Sequence, residues 1–131
     1  MKLLLDTCVV IWFLQENPCL LSETYEAIAD SENEVFVSAV SAWEIEIKRG
    51  KRGFECPDDL LAAIIYSQFN VLSLTIAHAI KAGSLPMNNN HKDPFDRMLV
   101  AQAMIEKMVL VTSDTKIIGN YAIAVLPAKN L

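Results

Sequence analysis

The sequence predicts an α/β protein, a three-layer α/β/α sandwich built on a mostly parallel central sheet. One observation is that short apolar segments typical of strands alternate with segments whose apolar residues recur at helical intervals. The other is that the strand segments are continuous apolar runs, which is typical of a sheet buried on both faces. We therefore expect helices on both sides of the sheet.

The chain begins with a predicted strand, KLLLD (2–6), an apolar run that ends in an acid. A helix is predicted over 9–17, where VVIWFLQEN has helical spacing, and it stops near Pro18. SETYEAIADSEN (22–33) begins with a serine and has apolar residues at helical intervals, so it predicts a second helix. EVFVS (34–38) is the second predicted strand.

The middle of the chain continues the alternation. SAWEIEIKRG (41–50) predicts a helix with basic residues in its last turn and a glycine at its end. PDDLLAAIIYSQF (57–69) predicts a helix that starts near its proline, NVLSL (70–74) a short strand, and TIAHAIKAGSL (75–85) a short helix. PMNNNHK (86–92) is polar and rich in turn-forming residues, and we expect a loop there.

The last part contains one helix and two strands. A helix is predicted from Phe95 to Lys107, VLVTSD (109–114) is the most strand-like segment of the chain, and AIAVL (122–126) is the last strand. There is no internal repeat or low-complexity stretch. We therefore expect residues 1–131 to form a single domain.

Composition narrows the function classes. The chain has 131 residues, of which 53% are hydrophobic, and no apolar run reaches the ~20 residues of a membrane span. Asp6 interrupts the apolar start, so we expect no signal peptide and a cytoplasmic protein. Three cysteines without CxxC spacing make a zinc site or a disulfide framework an unfavourable interpretation. The net charge of −5 argues against indiscriminate nucleic-acid binding, although a bound cation would reverse the local sign.

The stretch HKDPFDRMLVAQA (91–103) brackets a Pro-Phe pair with two aspartates. Asp93 suits the N-cap of the following helix, and Pro94 suits its first position. Asp96 falls in the first turn, where the helix dipole favours an anion. Capping alone therefore explains this stretch, but it does not explain why acids recur at equivalent places elsewhere.

Four acids from four segments are predicted at one edge of the sheet. Asp6 and Asp114 end strands, and the carboxyl ends of parallel strands are where open α/β sheets bind ligands. Glu44 and Asp96 are predicted in the first turns of helices that run antiparallel to the strands, so they share that edge. Each acid also has a capping interpretation, including a Ser41–Glu44 capping box, but capping predicts no convergence.

Such a cluster is unfavourable without a counter-charge. Two carboxylates about 4 Å apart repel by roughly 4 kcal/mol at an effective dielectric constant near 20. Either a raised pKa or a divalent cation relieves this repulsion. Oxygen ligands without cysteine or paired histidines favour Mg²⁺ or Mn²⁺ over zinc. The chemistry this predicts is metal-dependent phosphoryl transfer to water.

The sequence blocks resemble those of PIN domains, and more narrowly those of the toxins of VapBC-type toxin–antitoxin modules. The resemblance rests on four blocks that together span nearly the whole chain: LLLDT (3–7), SAVSAWEIEIKRGK (38–51), HKDPFDRMLVAQA (91–103) and VTSD (111–114). It implies a three-layer α/β/α fold and an Mg²⁺- or Mn²⁺-dependent endoribonuclease that hydrolyses RNA phosphodiester bonds with a water activated by the metal.

The resemblance assigns the catalytic and metal-binding acids residue by residue. They are Asp6, Glu44, Asp96 and Asp114. Among them, Asp6 and Asp96 are expected to bind metal directly, whereas Glu44 and Asp114 bind through water or position the nucleophile.

Other residues are expected to act around these acids. Thr7 and Ser113 are expected to hydrogen-bond the carboxylates. Arg97 is assigned equally to phosphate binding and to structure, and Lys48 either binds phosphate or pairs with Glu44 one turn before it. We expect the basic run 48–52 to be a solvated helix end, and His91 to belong to the loop structure rather than to act as a general base.

The resemblance also implies partners. They are an RNA substrate, a small antitoxin protein that blocks the acidic groove, and a second copy of the chain in a homodimer, with no membrane involved. Two other functions stay open at this point. One is a non-catalytic PIN-fold module that binds proteins, and the other is a metal-dependent DNA nuclease, because nothing in the sequence reads a 2′-hydroxyl.

Overall fold

A computed structural model describes residues 1–87 and 91–130 of the chain. The strands are β1 (Lys2–Leu5), β2 (Glu34–Ser38), β3 (Asn70–Leu72), β4 (Val109–Thr112) and β5 (Val125–Pro127). They form one sheet in the order β3-β2-β1-β4-β5, and every neighbouring pair is parallel. The prediction of a mostly parallel sheet is confirmed.

The helices are α1 (Thr7–Leu14), α2 (Ser22–Ala29), α3 (Ala39–Lys48), α4 (Leu60–Tyr66), α5 (Ile76–Ser84) and α6 (Pro94–Glu106). Every helix and strand predicted from the sequence is found, with differences at the ends. The predicted loop 86–92 lies partly outside the described residues, because 88–90 are not among them. Within the described ranges, no helix combines the length and the apolar character that a membrane crossing requires.

The sheet is covered on both faces because side chains of successive strand residues point in opposite directions. Leu3 and Leu5 belong to a core cluster that also takes in buried residues of α1, α2 and α4. Leu4 belongs to a second cluster with residues of α5 and α6. All three leucines are fully buried. The three residues of β1 after the exposed Lys2 are therefore all apolar because the strand lies in the middle of a three-layer α/β/α sandwich.

Helix α3 begins earlier than the sequence suggested. Its N-cap is Ser38, the last residue of β2, whose hydroxyl oxygen accepts a hydrogen bond of 3.1 Å from the Val40 backbone N–H. Strand and helix therefore follow each other without a loop. The predicted first-turn position of Glu44 is wrong, and so is the Ser41–Glu44 capping box, because this cap places Glu44 in the second turn.

Arg97 of α6 joins several chain segments from inside the fold. Its buried guanidinium donates hydrogen bonds to the backbone carbonyls of Pro86 (3.1 Å), His91 (3.3 Å), Ala82 (3.2 Å) and Leu85 (2.7 Å). The carbonyls belong to the end of α5 and to the chain that leads into α6. This environment favours the structural one of the two roles that the sequence left open for Arg97, and it directs most of the donors away from a phosphate.

We predict that Arg97→Met lowers the free energy of unfolding by roughly 2–4 kcal/mol, because several buried carbonyls lose a charged donor. Urea unfolding measured by circular dichroism tests this. Arg52→Met is the matched control, since Arg52 is exposed and its replacement should change the free energy by less than about 0.5 kcal/mol. Equal unfolding midpoints for the two variants would contradict the structural role.

Candidate metal centre

Asp6 is a buried carboxyl held by two hydrogen bonds at the end of β1. One oxygen accepts from the Thr112 hydroxyl (2.6 Å) and the other from the Thr7 backbone N–H (2.7 Å), so Asp6 also caps α1. Burial raises the pKa of Asp6 to about 6, although both hydrogen bonds act to lower it. The charges of Asp114 and Glu44 raise this pKa further, which indicates that these acids lie close by.

Asp96 lies in the first turn of α6, after an N-cap formed by Asp93. The Asp93 carboxylate accepts from the backbone N–H groups of Phe95 (2.9 Å) and Asp96 (3.3 Å), which confirms the capping expected of it. The pKa of Asp96 is raised to about 9. The largest cause is burial, and the charges of Asp6 and Asp93 and a hydrogen bond with the Asp114 carboxyl raise it further. Because Asp93 caps the helix, the Asp96 carboxyl does not serve as the cap, and it lies among other acids.

Asp114 and Glu44 complete the cluster. The Asp114 carboxylate accepts from the Lys116 backbone N–H (2.9 Å), and the Asp114 N–H donates to the Thr112 hydroxyl (3.0 Å), so Asp114 orders a turn after β4. The Glu44 carboxylate is buried and lies 3.2 Å from the Lys48 ammonium. The four acids that the sequence selected come from four segments. Asp96 and Asp114 have ligand atoms within 4.8 Å of each other, whereas Asp6 and Glu44 fall outside that group. Asp6 still lies close enough for the charges of Asp114 and Glu44 to raise its pKa.

His91 is a site neighbour that sequence reasoning assigned to the loop alone. It is fully buried, its Nε2 lies 3.3 Å from an Asp96 carboxylate oxygen, and its Nδ1 lies 2.9 Å from the Tyr121 hydroxyl. Ligand atoms of His91, Asp96 and Asp114 lie within 4.8 Å of one another, a spacing that would suit a metal ion. In the sequence, the one sign that His91 lies near the site was its position just before Asp93, the N-cap of the helix that contains Asp96.

The residues expected to hydrogen-bond the carboxylates are partly different. The Thr7 hydroxyl donates to the Ser41 hydroxyl (3.0 Å), so Thr7 reaches Asp6 through its backbone N–H and not its side chain. The Ser113 side chain forms a hydrogen bond with Cys8, whose pKa is raised to about 12, chiefly by burial. The hydroxyl that reaches a carboxylate from β4 is that of Thr112, the neighbour of the predicted Ser113.

Strand register explains why Thr112 takes this role. Leu4 pairs with Leu110 and Leu5 with Val111, so the next pair along the two parallel strands is Asp6 and Thr112. Neighbouring residues of the same register carry side chains on the same face of a sheet. A predicted register between the first and fourth strands would have identified Thr112 from the sequence.

The basic residues near the site are mostly engaged elsewhere. Lys48 pairs with Glu44 at i,i+4 spacing, which was one of its two expected roles, and its side chain remains 41% exposed. Arg49 forms a bidentate pair with Glu46, whereas Lys51 and Arg52 are exposed. The run 48–52 therefore matches the solvated helix end that we expected.

The donor set fits a hard divalent cation. Its four carboxylates supply oxygen ligands of the kind that Mg²⁺ and Mn²⁺ prefer, and the imidazole of His91 is also acceptable to Mn²⁺. The pKa values of Asp6 and Asp96 are raised first by burial and then by the charges of neighbouring acids, so both carboxyls are unfavourable in the ionised form. A cation at this place would supply positive charge, and the ligand atoms of His91, Asp96 and Asp114 lie close enough together to hold it, with Asp6 and Glu44 beside them.

Comparisons with known proteins agree with this geometry. The family model described as PIN domain matches residues 3–122. Comparison of the sequence with curated proteins gives no match.

Among solved structures, a chain of DNA-bound VapBC from Salmonella typhimurium aligns at a TM-score of 0.70 and 21% identity, with 97% of this chain and 98% of that chain covered. VapBC2 from Rickettsia felis, bound to a DNA fragment from its promoter, aligns at 0.65 and 16%, with the same coverage. VapBC-1 from nontypeable Haemophilus influenzae aligns at 0.64 and 17%, again covering 97% and 98%. These likenesses show the fold. Because the family model spans nearly the whole sequence, the chain belongs to the PIN domain family.

Proposed function

We propose that this chain is an Mg²⁺- or Mn²⁺-dependent endoribonuclease that acts as the toxin of a type II toxin–antitoxin system. The observation that carries the proposal is a group of acids from four segments at the carboxyl edge of a PIN-domain sheet. Two of these acids, Asp6 and Asp96, have a strongly raised pKa. The likeness to solved VapBC structures supports the toxin assignment. RNA as the substrate rests on the resemblance of the four sequence blocks.

In this proposal each acid has a role that follows from its surroundings. Asp6 and Asp96 bind the cation directly, because each is fixed by a hydrogen-bonding neighbour, and Asp6 is buried while the Asp96 side chain is only 16% exposed. Asp114 and Glu44 bind through water or position the attacking water. When bound, the cation lowers the pKa of a coordinated water and stabilises charge on the phosphate. Lys48, exposed at the edge of the cluster, offers an ammonium to the backbone of the substrate.

Hydrogen-bonding neighbours keep the two direct ligands in place. The Thr112 hydroxyl and the Thr7 N–H fix both oxygens of Asp6, which prevents the carboxylate from rotating. His91, held from its other side by the Tyr121 hydroxyl, orients one oxygen of Asp96. Such neighbours commonly contribute 10- to 100-fold to metal affinity or activity.

The partners follow from the same proposal. A small antitoxin protein covers the acidic groove, the chain works in the cytoplasm as a single domain, and two copies form a homodimer. Exposed apolar residues support an association of copies. On α5, Ile76 and Ile80 are spaced by one helical turn and are 79% and 69% exposed.

We predict that the purified chain, freed of any antitoxin, cleaves single-stranded RNA with Mn²⁺ and not with EDTA. Asp96→Asn should reduce the cleavage rate by at least about 100-fold, because it removes a direct ligand. Asp93→Asn is the matched control. Asparagine caps helices as well as aspartate does, so this neighbouring variant should keep most of the activity. Gel analysis of end-labelled RNA, with single-stranded DNA in parallel, provides the measurement.

The possible results separate the alternatives. Cleavage by Asp96→Asn at the wild-type rate would reject the acidic cluster as the active site. Cleavage of DNA in preference to RNA would favour the DNA nuclease. Absence of cleavage, together with a melting temperature that Mn²⁺ does not change, would favour a non-catalytic binding module.

We predict that without metal the chain becomes less stable as the pH rises from about 5 to about 8. The pKa of Asp6 is about 6 in the folded state and about 4 when unfolded, so the folded state holds more protons between these values. The free energy of unfolding therefore falls as pH rises, by roughly 1–3 kcal/mol from Asp6, and the higher pKa of Asp96 extends the fall above pH 6.

Thermal unfolding with EDTA or with millimolar Mn²⁺ tests this prediction. Mn²⁺ should restore the melting temperature at about pH 8 and have little effect at about pH 5, where protons compete with the cation. Asp96→Asn should be more stable than wild type at the higher pH without metal, because asparagine replaces a carboxyl that the folded state must keep protonated there. A wild-type melting temperature that rises with pH in EDTA would disprove the account.

We predict that His91→Leu slows cleavage by roughly 10- to 100-fold, because the Asp96 carboxylate loses the neighbour that orients it. Tyr121→Phe removes only the hydroxyl behind His91 and should have a smaller effect. Single-turnover rates over a range of Mn²⁺ concentrations provide the measurement, with circular dichroism to check that both variants are folded. An unchanged rate in folded His91→Leu would show that the histidine is only part of the loop structure.

A further inference from the structure

A cleft of about 290 Å³ opens between α1 and the turn that follows α3, and we call it the α1 cleft. Its lining includes Thr7, Cys8 and Trp12 from α1, Lys48 from the end of α3, and Phe54 from the turn.

The α1 cleft adjoins the metal centre on two sides. On one side, Thr7 and Cys8 directly follow Asp6 in the chain, and the Thr7 N–H is hydrogen-bonded to the Asp6 carboxylate. On the other side, the Lys48 ammonium pairs with Glu44 at 3.2 Å. A molecule bound at the acids would therefore reach the cleft without crossing another element.

The lining has the chemistry that single-stranded nucleic acid uses. The indole of Trp12 and the ring of Phe54 are half-buried and offer aromatic surface. The Lys129 ammonium lies 5.7 Å from the Trp12 ring centroid, and Lys48 adds a second cation at the edge. Unstacked bases commonly stack on aromatic side chains of a protein, while lysine or arginine side chains bind the flanking phosphates.

The rim of the cleft also contains polar groups that are held in place. The Gln15 side-chain amide donates a hydrogen bond of 2.9 Å to the Glu55 backbone carbonyl, which ties α1 to the turn across the cleft. The side-chain carbonyl oxygen of Gln15 is a hydrogen-bond acceptor close to the cleft. A polar group fixed beside an aromatic surface is a common arrangement for distinguishing one base from another.

We propose that the α1 cleft binds one base of the RNA strand, the base of a nucleotide next to the scissile phosphate. The base stacks on the face of Trp12 opposite the Lys129 ammonium, and Lys48 contacts the backbone between that base and the metal centre. This inference rests on the proposed nuclease function and adds a specificity site to it. At about 290 Å³, the cleft is slightly smaller than the roughly 300–1,000 Å³ of small-ligand sites, so it has room for a single base.

The two cations beside the cleft favour a nucleotide over an apolar protein segment. The charged residues of the lining are Lys48, which also pairs with Glu44, and Glu55, and Lys129 adds a further cation over the Trp12 ring. A strand whose phosphate is directed to the metal centre carries negative charge on both sides of the base. The charges of the strand and of the cleft are therefore complementary.

Tryptophan fluorescence tests the proposal directly. The chain contains two tryptophans, Trp12 and Trp43, so Trp43→Phe leaves Trp12 as the single emitter. Asp96→Asn is added to prevent cleavage during the titration. We expect short single-stranded RNA to quench the Trp12 emission, with the same midpoint as binding followed by anisotropy of labelled RNA.

Two further variants connect the signal to the cleft. Trp12→Leu should weaken RNA binding by roughly 5- to 100-fold, the loss expected for one stacked base. Tyr66→Leu is the matched control, because Tyr66 is an exposed aromatic residue that lines a different cleft, and binding should not change. In single-turnover cleavage, Trp12→Leu should also alter the preference among substrates that differ only in the base beside the cleavage site.

Several results would overturn the inference. RNA that binds by anisotropy without changing the Trp12 emission would place the strand elsewhere and leave the nuclease proposal intact. Quenching by a protein partner and not by RNA would assign the cleft to that partner. Absence of RNA binding, together with absence of wild-type cleavage, would reject both the base site and the proposed function.

Discussion

The carboxyl of Asp6 is the group on which both the fold and the candidate site depend. It directly follows Leu3, Leu4 and Leu5 of β1, which are fully buried, so it cannot turn outward to water without disrupting the centre of the sheet. Hydrogen bonds from Thr112 and from the Thr7 N–H satisfy it there, one from β4 and one from α1. These bonds stabilise a charged group in a place where burial alone would strongly disfavour it.

That arrangement has a consequence for the other acids. Because all strands are parallel, their carboxyl ends and the helix starts share one edge, and Asp96 and Asp114 come to lie near Asp6. Burial first, and then the repulsion between these acids, raises the pKa values of Asp6 and Asp96, so the site without a cation is unfavourable at neutral pH. A fold can tolerate this when the rest of its core is well packed, and a cation then gains affinity from the same repulsion.

Features that depend on chain pattern were predictable, and features that depend on packing across the chain were not. Asp6 and Asp114 were found because strand ends can be read from apolar runs, and Asp96 because a proline and an aspartate mark a helix start. The start of α3 was misplaced because Ser38 serves as both strand end and cap, which no local pattern distinguishes from Ser41. The contact between His91 and Asp96 depends on a chain turn and on Tyr121, 30 residues away along the chain.

Capping and metal binding are therefore not competing explanations for these acids. Asp93 takes the backbone N–H groups of the α6 start, and this leaves the neighbouring Asp96 carboxylate directed at the other acids and at His91. At β1, a single residue has both tasks, since Asp6 caps α1 with one oxygen and receives the Thr112 hydroxyl with the other. Each of these oxygens keeps a lone pair that the cap does not use. The hydrogen bonds that stabilise a helix start thus also fix the direction in which a carboxylate presents its remaining lone pairs to a cation.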